Sequence, residues 1–166
     1  MVSWGMMWFM SCYTGGYDVV GSDIQPEYAD LGASSKEYED RGTFAYVPLD
    51  ICSTNDAGRV IMEFQPDAVV HCAAWTAVDA AEDPDVQEKV YMVNVVGTRN
   101  IAEICRELGC KMIYISTDYV FDGQGDIPWS ADCGDFNPQN VYGRIKLEGK
   151  QVVSELLDEF FIVRIA

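Results

Sequence analysis

The chain of 166 residues is 49% hydrophobic, 23% charged and 12% aromatic. That is enough for one domain with its own core, and it is neither a disordered nor a collagen-like composition. Lys plus Arg number 11 against 27 Asp plus Glu, a formal net charge of -16. Such a field repels phosphate backbones and anionic lipid and argues against nucleic-acid and membrane partners. A small anionic ligand stays open, because a few backbone N–H groups in a cleft outweigh distant charge.

In chain order, Met1–Cys12 (MVSWGMMWFMSC) is apolar and carries no Lys or Arg. It is too short for a membrane helix and lacks the basic start of a signal peptide. It reads as a loosely packed arm over residues 1–16 ahead of a domain at 17–166. Tyr17–Asp23 is a β-branched run ending in an acidic residue, and Gln25–Thr43 is polar, a long loop. Phe44–Leu49 reads as a strand. Thr54–Phe64 is a short helix capped by Ser53 or Thr54, and Ala68–Cys72 is a strand. Val86, Val90, Val93, Gly97, Ile101, Ile104 and Leu108 then step by three and four along one helical face. That helix opens at Pro84 and closes at Gly109. Lys111–Ile115 is a strand, Ser116–Asn140 loop-like, Val141–Leu157 a helix and Phe160–Ile165 a final strand. Strand and helix alternate, and several strands are apolar on both faces. The pattern predicts an α/β fold, a doubly wound parallel sheet covered by helices on both sides.

Cys12, Cys52, Cys72, Cys105, Cys110 and Cys133 show no C-x-x-C spacing, and there is one histidine, His71. A Cys/His zinc site therefore lacks its usual ligands, and no metal is expected. Cys72 and Cys105 lie in apolar runs, so the thiols read as buried and the compartment as a reducing cytoplasm.

Ligands of open α/β sheets bind beyond the carboxyl ends of the strands. Asp23 ends one strand, where a carboxylate would accept both ribose hydroxyls of an adenosine; the plain alternative is an acidic loop residue. Asp50-Ile51 follows the next strand as a pair that would frame an adenine edge, although alone it says little. Ala73-Ala74 follows AVVHC, and two small residues there let a ligand approach the backbone; a tight helix-sheet turn explains them as well. His71 sits inside the strand and reads as a core histidine. Ser116-Thr117-Asp118-Tyr119 follows KMIYI, and further on stand Tyr142 and Lys146, one helical turn apart on one face. A phenol with a pKa near 10 is a poor proton exchanger at neutral pH, and a neighbouring ammonium lowers it. Tyr142 thus becomes a candidate general acid, with Thr117 holding a carbonyl oxygen beside it. Tyr-x-x-x-Lys alone is a weak signal; its place after an S-T-D strand end strengthens it.

PDAVVHCAAWTAVDAAED, VNVVGTRNIAEIC, MIYISTDYVFDGQG, NPQNVYGRIKLEG and FIVRIA together resemble the extended short-chain dehydrogenase/reductases, and among them the dTDP-4-dehydrorhamnose reductases. The resemblance runs from about Val60 to Ala166. STDYVFDG and AAWTAVD are specific to that family, whereas Tyr-x-x-x-Lys is shared by its whole superfamily. It implies a Rossmann-like fold and NAD(P)H-dependent reduction of a 4-keto nucleotide sugar in dTDP-L-rhamnose biosynthesis. Tyr142 would donate the proton, Lys146 would hold the nicotinamide ribose and tune Tyr142, and Thr117 would bind the carbonyl. Asp23, Asp50, Ile51, Ala73 and Ala74 would line the adenosine side, with Asn94 near the nicotinamide. Thr76, Val78, Asp118 and Tyr119 would face the sugar. An acidic Asp23, where a basic residue would meet a 2′-phosphate, favours NAD(H) over NADP(H).

The family opens with a strand and a Gly-rich turn that cradles the pyrophosphate at a helix N-terminus. None of the 14 glycines has that spacing, and the chain stops directly after Phe160–Ile165. The expectation is a Rossmann-like domain incomplete at both ends, a fragment or mis-started gene product, with impaired activity. Non-catalytic Rossmann modules of the same superfamily, which act as regulatory subunits, provide the alternative of binding without turnover. A nucleotide-sugar epimerase fits STDYVFDG less well. An unfinished sheet edge at Phe160–Ile165 would be open to a second copy, as a homodimer.

Overall fold

The computed structural model describes residues 7–13, 16–26 and 45–166. Its elements are β1 (Met7–Tyr13), β2 (Gly16–Asp23), β3 (Ala45–Pro48), α1 (Thr54–Phe64), β4 (Ala68–His71), α2 (Pro84–Tyr91), a π turn (Met92–Gly97), α3 (Thr98–Leu108), β5 (Lys111–Thr117), α4 (Val141–Leu156) and β6 (Phe160–Ile165). Short 3-10 turns occupy Asp79–Glu82 and Asp118–Val120. Most of the expected loop Gln25–Thr43 lies outside the described residues.

The strands form one six-stranded sheet in the order β3-β2-β1-β4-β5-β6, the order of the dinucleotide-binding doubly wound fold. β2 pairs in parallel with β3, β4 with β5, and β5 with β6. β1 is the exception and runs antiparallel to both neighbours, with Met7 opposite Ser22 on one side and His71 on the other. Residues 7–13 therefore belong to the sheet, where a loose arm was expected, and the sheet is not wholly parallel. Trp8, Phe9 and Tyr13 are strand formers. Two antiparallel strands need only a two-residue connection, whereas a parallel pair needs a dozen or more residues. Only two residues separate Tyr13 from Gly16, so β1 enters the gap beside β2 in the one direction the chain permits.

The helices start and stop where their chemistry dictates. Ser53 caps α1 by accepting from the Asp56 N–H. Asp83 caps α2 with Pro84 in the first turn. Gly109, at φ 67°, ends α3 in the left-handed conformation. The helix predicted from Pro84 to Gly109 keeps a helical backbone over that span and widens at the π turn, which buries Val93, Asn94, Val95 and Gly97 together. A Cβ on Gly97 would lie 2.7 Å from Ile51 Cδ1, so the glycine sets how closely the π turn meets the loop after β3.

One face of the sheet carries the core. Val69, Met112 and Tyr114 are buried there with Ala57, Val60 and Ile61 of α1, Ile101 and Cys105 of α3, and Val152 and Val153 of α4. Residues of opposite parity stay accessible: Ile113 and Ile115 are half-buried, and Phe161, Val163 and Ile165 are 65%, 40% and 55% exposed. Coverage on both faces was expected; among the described residues the helices pack on one. The thiols differ from expectation too, since Cys105 and Cys110 are buried whereas Cys52, Cys72 and Cys133 are partly accessible.

Candidate active site

The carboxyl ends of β2, β3, β4 and β5 open onto one edge of the sheet, and the residues singled out in the sequence gather along it. At the end of β5, which runs two residues further than predicted, Thr117 is buried. Its hydroxyl donates to Asp118 Oδ1 at 3.2 Å and accepts from the Tyr119 N–H at 3.3 Å. The Tyr142 phenol lies beside it.

Tyr142 and Lys146 stand in the first turns of α4, and three contacts fix where that helix begins. Asn140 Oδ1 accepts from the Gly143 N–H at 2.7 Å. Glu82 Oε1 accepts from the Val141 N–H at 2.7 Å. A Cβ on Gly143 would sit 2.2 Å from the Tyr119 carbonyl oxygen, so only glycine lets the helix approach the Asp118–Val120 turn this closely. The Tyr119 and Tyr142 rings meet edge to face at 5.8 Å. Glu82 escaped the sequence reading because its contact spans 59 residues and no local motif announces it.

Lys146 is 4% exposed, and its Nζ donates to the Ile115 carbonyl at 2.7 Å. Burial pulls its pKa down to about 7, opposed in small part by Cys72. Tyr142 moves the other way: burial raises its pKa above the ordinary value, Asp118 and Tyr119 add to the rise, and the Thr117 hydroxyl opposes it. The sequence argument had Lys146 lowering Tyr142. In the structure the ammonium is turned onto the Ile115 carbonyl, and burial decides the direction.

Behind this group lies a polar chain inside the core. The Asn94 side chain clamps the backbone of Trp75, accepting from its N–H at 2.7 Å and donating to its carbonyl at 3.1 Å. Thr98 Oγ1 donates to the Asn94 carbonyl at 2.8 Å, and His71 Nε2 lies 3.0 Å from that hydroxyl. The Thr98 proton is committed, so His71 donates through Nε2. Burial holds the imidazole neutral, with a pKa down to about 3. His71 is thus a core residue, as read from sequence.

The remaining candidates divide. Ala73 and Ala74 are buried after β4; Thr76, Asp118 and Tyr119 are exposed and Val78 is half-buried near the same edge. A cavity of about 370 Å³ is bounded by Asp118, Tyr119, Gln139 and Asn140. Asp23 ends β2 and Asp50 lies two residues beyond β3, each accepting a backbone N–H two residues on, from Gln25 at 3.1 Å and Cys52 at 2.9 Å. Ile51 is buried against Gly97 and belongs to the core. A larger cavity lined by Pro66, Asp67, Gly109 and Cys110 lies at the opposite edge of the sheet, away from this chemistry.

A nicotinamide dinucleotide needs three holds, and the described residues fit two of them. Tyr142, Lys146 and Thr117 suit the nicotinamide ribose and the reacting carbonyl, and Asp23 suits the adenosine ribose. The pyrophosphate hold does not fit. In the doubly wound fold it is the turn at the carboxyl end of β1, but here β1 is reversed and its Tyr13 end faces the opposite edge. Among the described residues no group of three or more His, Cys, Asp or Glu side chains is arranged to hold a metal ion, and no helix is long and apolar enough to cross a membrane.

The family model of the RmlD substrate binding domain matches residues 10–166. A dTDP-4-dehydrorhamnose reductase of Streptomyces griseus is 37% identical over 154 residues, 92% of this chain and 48% of that protein. The dTDP-4-dehydrorhamnose reductase of Bacillus anthracis, solved in complex with NADP, superposes with a TM-score of 0.68 at 35% identity, covering 80% of this chain and 49% of that one. Bordetella bronchiseptica WbmH, solved with NAD+, shares the fold at a TM-score of 0.68 and 21% identity, over 89% of this chain and 47% of that one. The chain spans about half the length of these relatives. The matched segment includes the strand end and helix that carry Thr117, Tyr142 and Lys146, and by it the chain belongs to the RmlD substrate binding domain family.

Proposed function

We propose that this chain carries the proton-donating half of a 4-keto nucleotide-sugar reductase site of the dTDP-4-dehydrorhamnose reductase type. The observation that supports this most is the convergence of Thr117, Tyr142 and Lys146 at the carboxyl end of β5. Tyr142 gives its phenolic proton to the C4 carbonyl oxygen of the sugar as that oxygen gains negative charge. Thr117 holds the same oxygen, and Lys146 would hold the nicotinamide ribose. When bound at the Asp23, Tyr142 and Lys146 holds, a reduced nicotinamide would supply the hydride, with NAD(H) favoured over NADP(H) by Asp23. The raised phenol suits donation, since Tyr142 stays protonated throughout the neutral range. Ala73, Ala74, Asp23 and Asp50 serve the adenosine side and Asn94 the nicotinamide side by holding the Trp75 backbone. Thr76, Val78, Asp118 and Tyr119 serve the sugar. The site operates in a cytoplasmic setting.

The reversed β1 supports a second reading, binding without turnover. Each hydrogen bond to a charged oxygen that is not made forfeits about 1.5–3 kcal/mol, so a dinucleotide without its cradle binds weakly. Titration of NADH and then NADPH, followed by energy transfer from the four tryptophans, separates the two readings. Saturable micromolar binding, with 4-keto sugar reduction lost in Tyr142→Phe, establishes the reductase. A folded chain with no saturation is a Rossmann module without this activity.

A further inference from the structure

We propose that Tyr114 is a positioning residue for Lys146, its ring serving as the platform on which the ammonium rests. This rests on the reading of Lys146 given above. Tyr114 lies on β5, three residues before Thr117, and is fully buried. The Lys146 Nζ stands 4.3 Å from the centroid of its ring. The Tyr114 hydroxyl donates to the backbone carbonyl of Lys146 at 3.2 Å. One side chain therefore holds Lys146 at both ends, its backbone and its charged tip.

Three further features fit that role. The neighbouring residue on the same strand, Ile115, supplies the carbonyl that accepts from Nζ at 2.7 Å, so β5 fixes the ammonium in distance and direction. Gly149, three residues beyond Lys146, leaves room for the phenol: a Cβ there would lie 2.6 Å from the Tyr114 hydroxyl. Nζ has three donors, and the Ile115 carbonyl takes one of them. In a buried site the negative face of an aromatic ring is then a further source of attraction for the charge. The titratable groups around the ammonium are Cys72 and His71 of the β4 strand end, Tyr142 on α4 and Tyr114 itself. Burial keeps Cys72, His71 and both phenols in their neutral forms at neutral pH, so none of them offers the ammonium a full opposite charge.

The test reads Lys146 directly in the full chain, with no cofactor or sugar present. Protein labelled with [13C,15N]lysine is titrated by NMR, and the Lys146 signal is assigned by its loss in Lys146→Met. Position 114 is varied from Tyr to Phe, monofluoro-Phe and trifluoro-Phe, a series that withdraws electron density from the ring face at nearly constant volume. The Lys146 midpoint is expected to fall stepwise, by about 1 pH across the series. Tyr114→Met, which fills the space without a π face, is expected to lower it as far. The signals of the single histidine, 5.9 Å from the Tyr114 ring, report that the core is intact. A midpoint unchanged across the fluorinated series, or raised in Tyr114→Met, overturns the proposal and reduces Tyr114 to filling. Neither result bears on turnover, which the Tyr142→Phe comparison tests separately.

Discussion

At the scale of single residues, Lys146 is the least comfortable side chain in the core. A lysine whose pKa falls from 10.5 to about 7 on burial binds fewer protons folded than unfolded between those values. Stability then rises with pH across that window; the penalty for the buried charge is absent above 10.5 and complete below about 7. Lys146→Met is therefore expected to be the more stable protein near pH 6, by up to a few kcal/mol. Its advantage over the parent should shrink toward pH 10.5. Urea unfolding at three pH values checks this, and parallel profiles for the two proteins would mean that the amine is not buried. Tyr142 and Lys146 were legible in the sequence because a helical i, i+4 pair after a strand end is a local pattern. Tyr114 and Glu82 were not: one acts across 32 residues and the other across 59, and a contact of that span has no signature in the local text.

The elements were legible where one force dominates. α1 has the bounds that its cap and apolar spacing predict, and β6 those of its apolar run. The π turn was hidden, because Val93 and Gly97 still fit the three-four stepping on either side of it. Its effect shows in the glycines. Gly149 faces it so closely that a Cβ would meet the Asn94 carbonyl oxygen at 2.5 Å, and neither backbone oxygen nor helix axis yields cheaply. Gly149→Ala gains helix propensity of about 1 kcal/mol but overpacks this contact, at about 1–3 kcal/mol. A net loss of stability is expected, with α4 pushed off the π turn. Gly58 in α1 is the control, since a Cβ there meets nothing within 4 Å. Gly58→Ala should stabilise by up to about 1 kcal/mol. Thermal unfolding of the two variants, one lowered and one raised, distinguishes packing from propensity.

At the scale of the whole molecule, the α/β class followed from the alternation of strands and helices, but β1, read as a loose arm, and its direction did not. A short apolar run reads the same in either direction; its polarity comes from the length of the connection to β2, a long-range consequence of pairing. Among the described residues the sheet also leaves β6 as an edge whose Phe161, Val163 and Ile165 are exposed on one face. Edges of this kind pair with other chains unless they carry charge. Light scattering should therefore rise with protein concentration and fall in Phe161→Lys, with little change in the unfolding midpoint. A strictly monomeric parent would remove the homodimer expected from the sequence.

The reversed strand also alters the order in which the chain assembles. In a sheet whose central strands are joined by crossovers, no central pairing forms until a helix-length loop has closed. Here β1 meets β2 across two intervening residues, from Tyr13 to Gly16. A pairing so local closes within microseconds and costs little loop entropy. The middle of the sheet is thereby the part of lowest contact order, a hairpin template formed early, onto which β4 and the rest of the core condense.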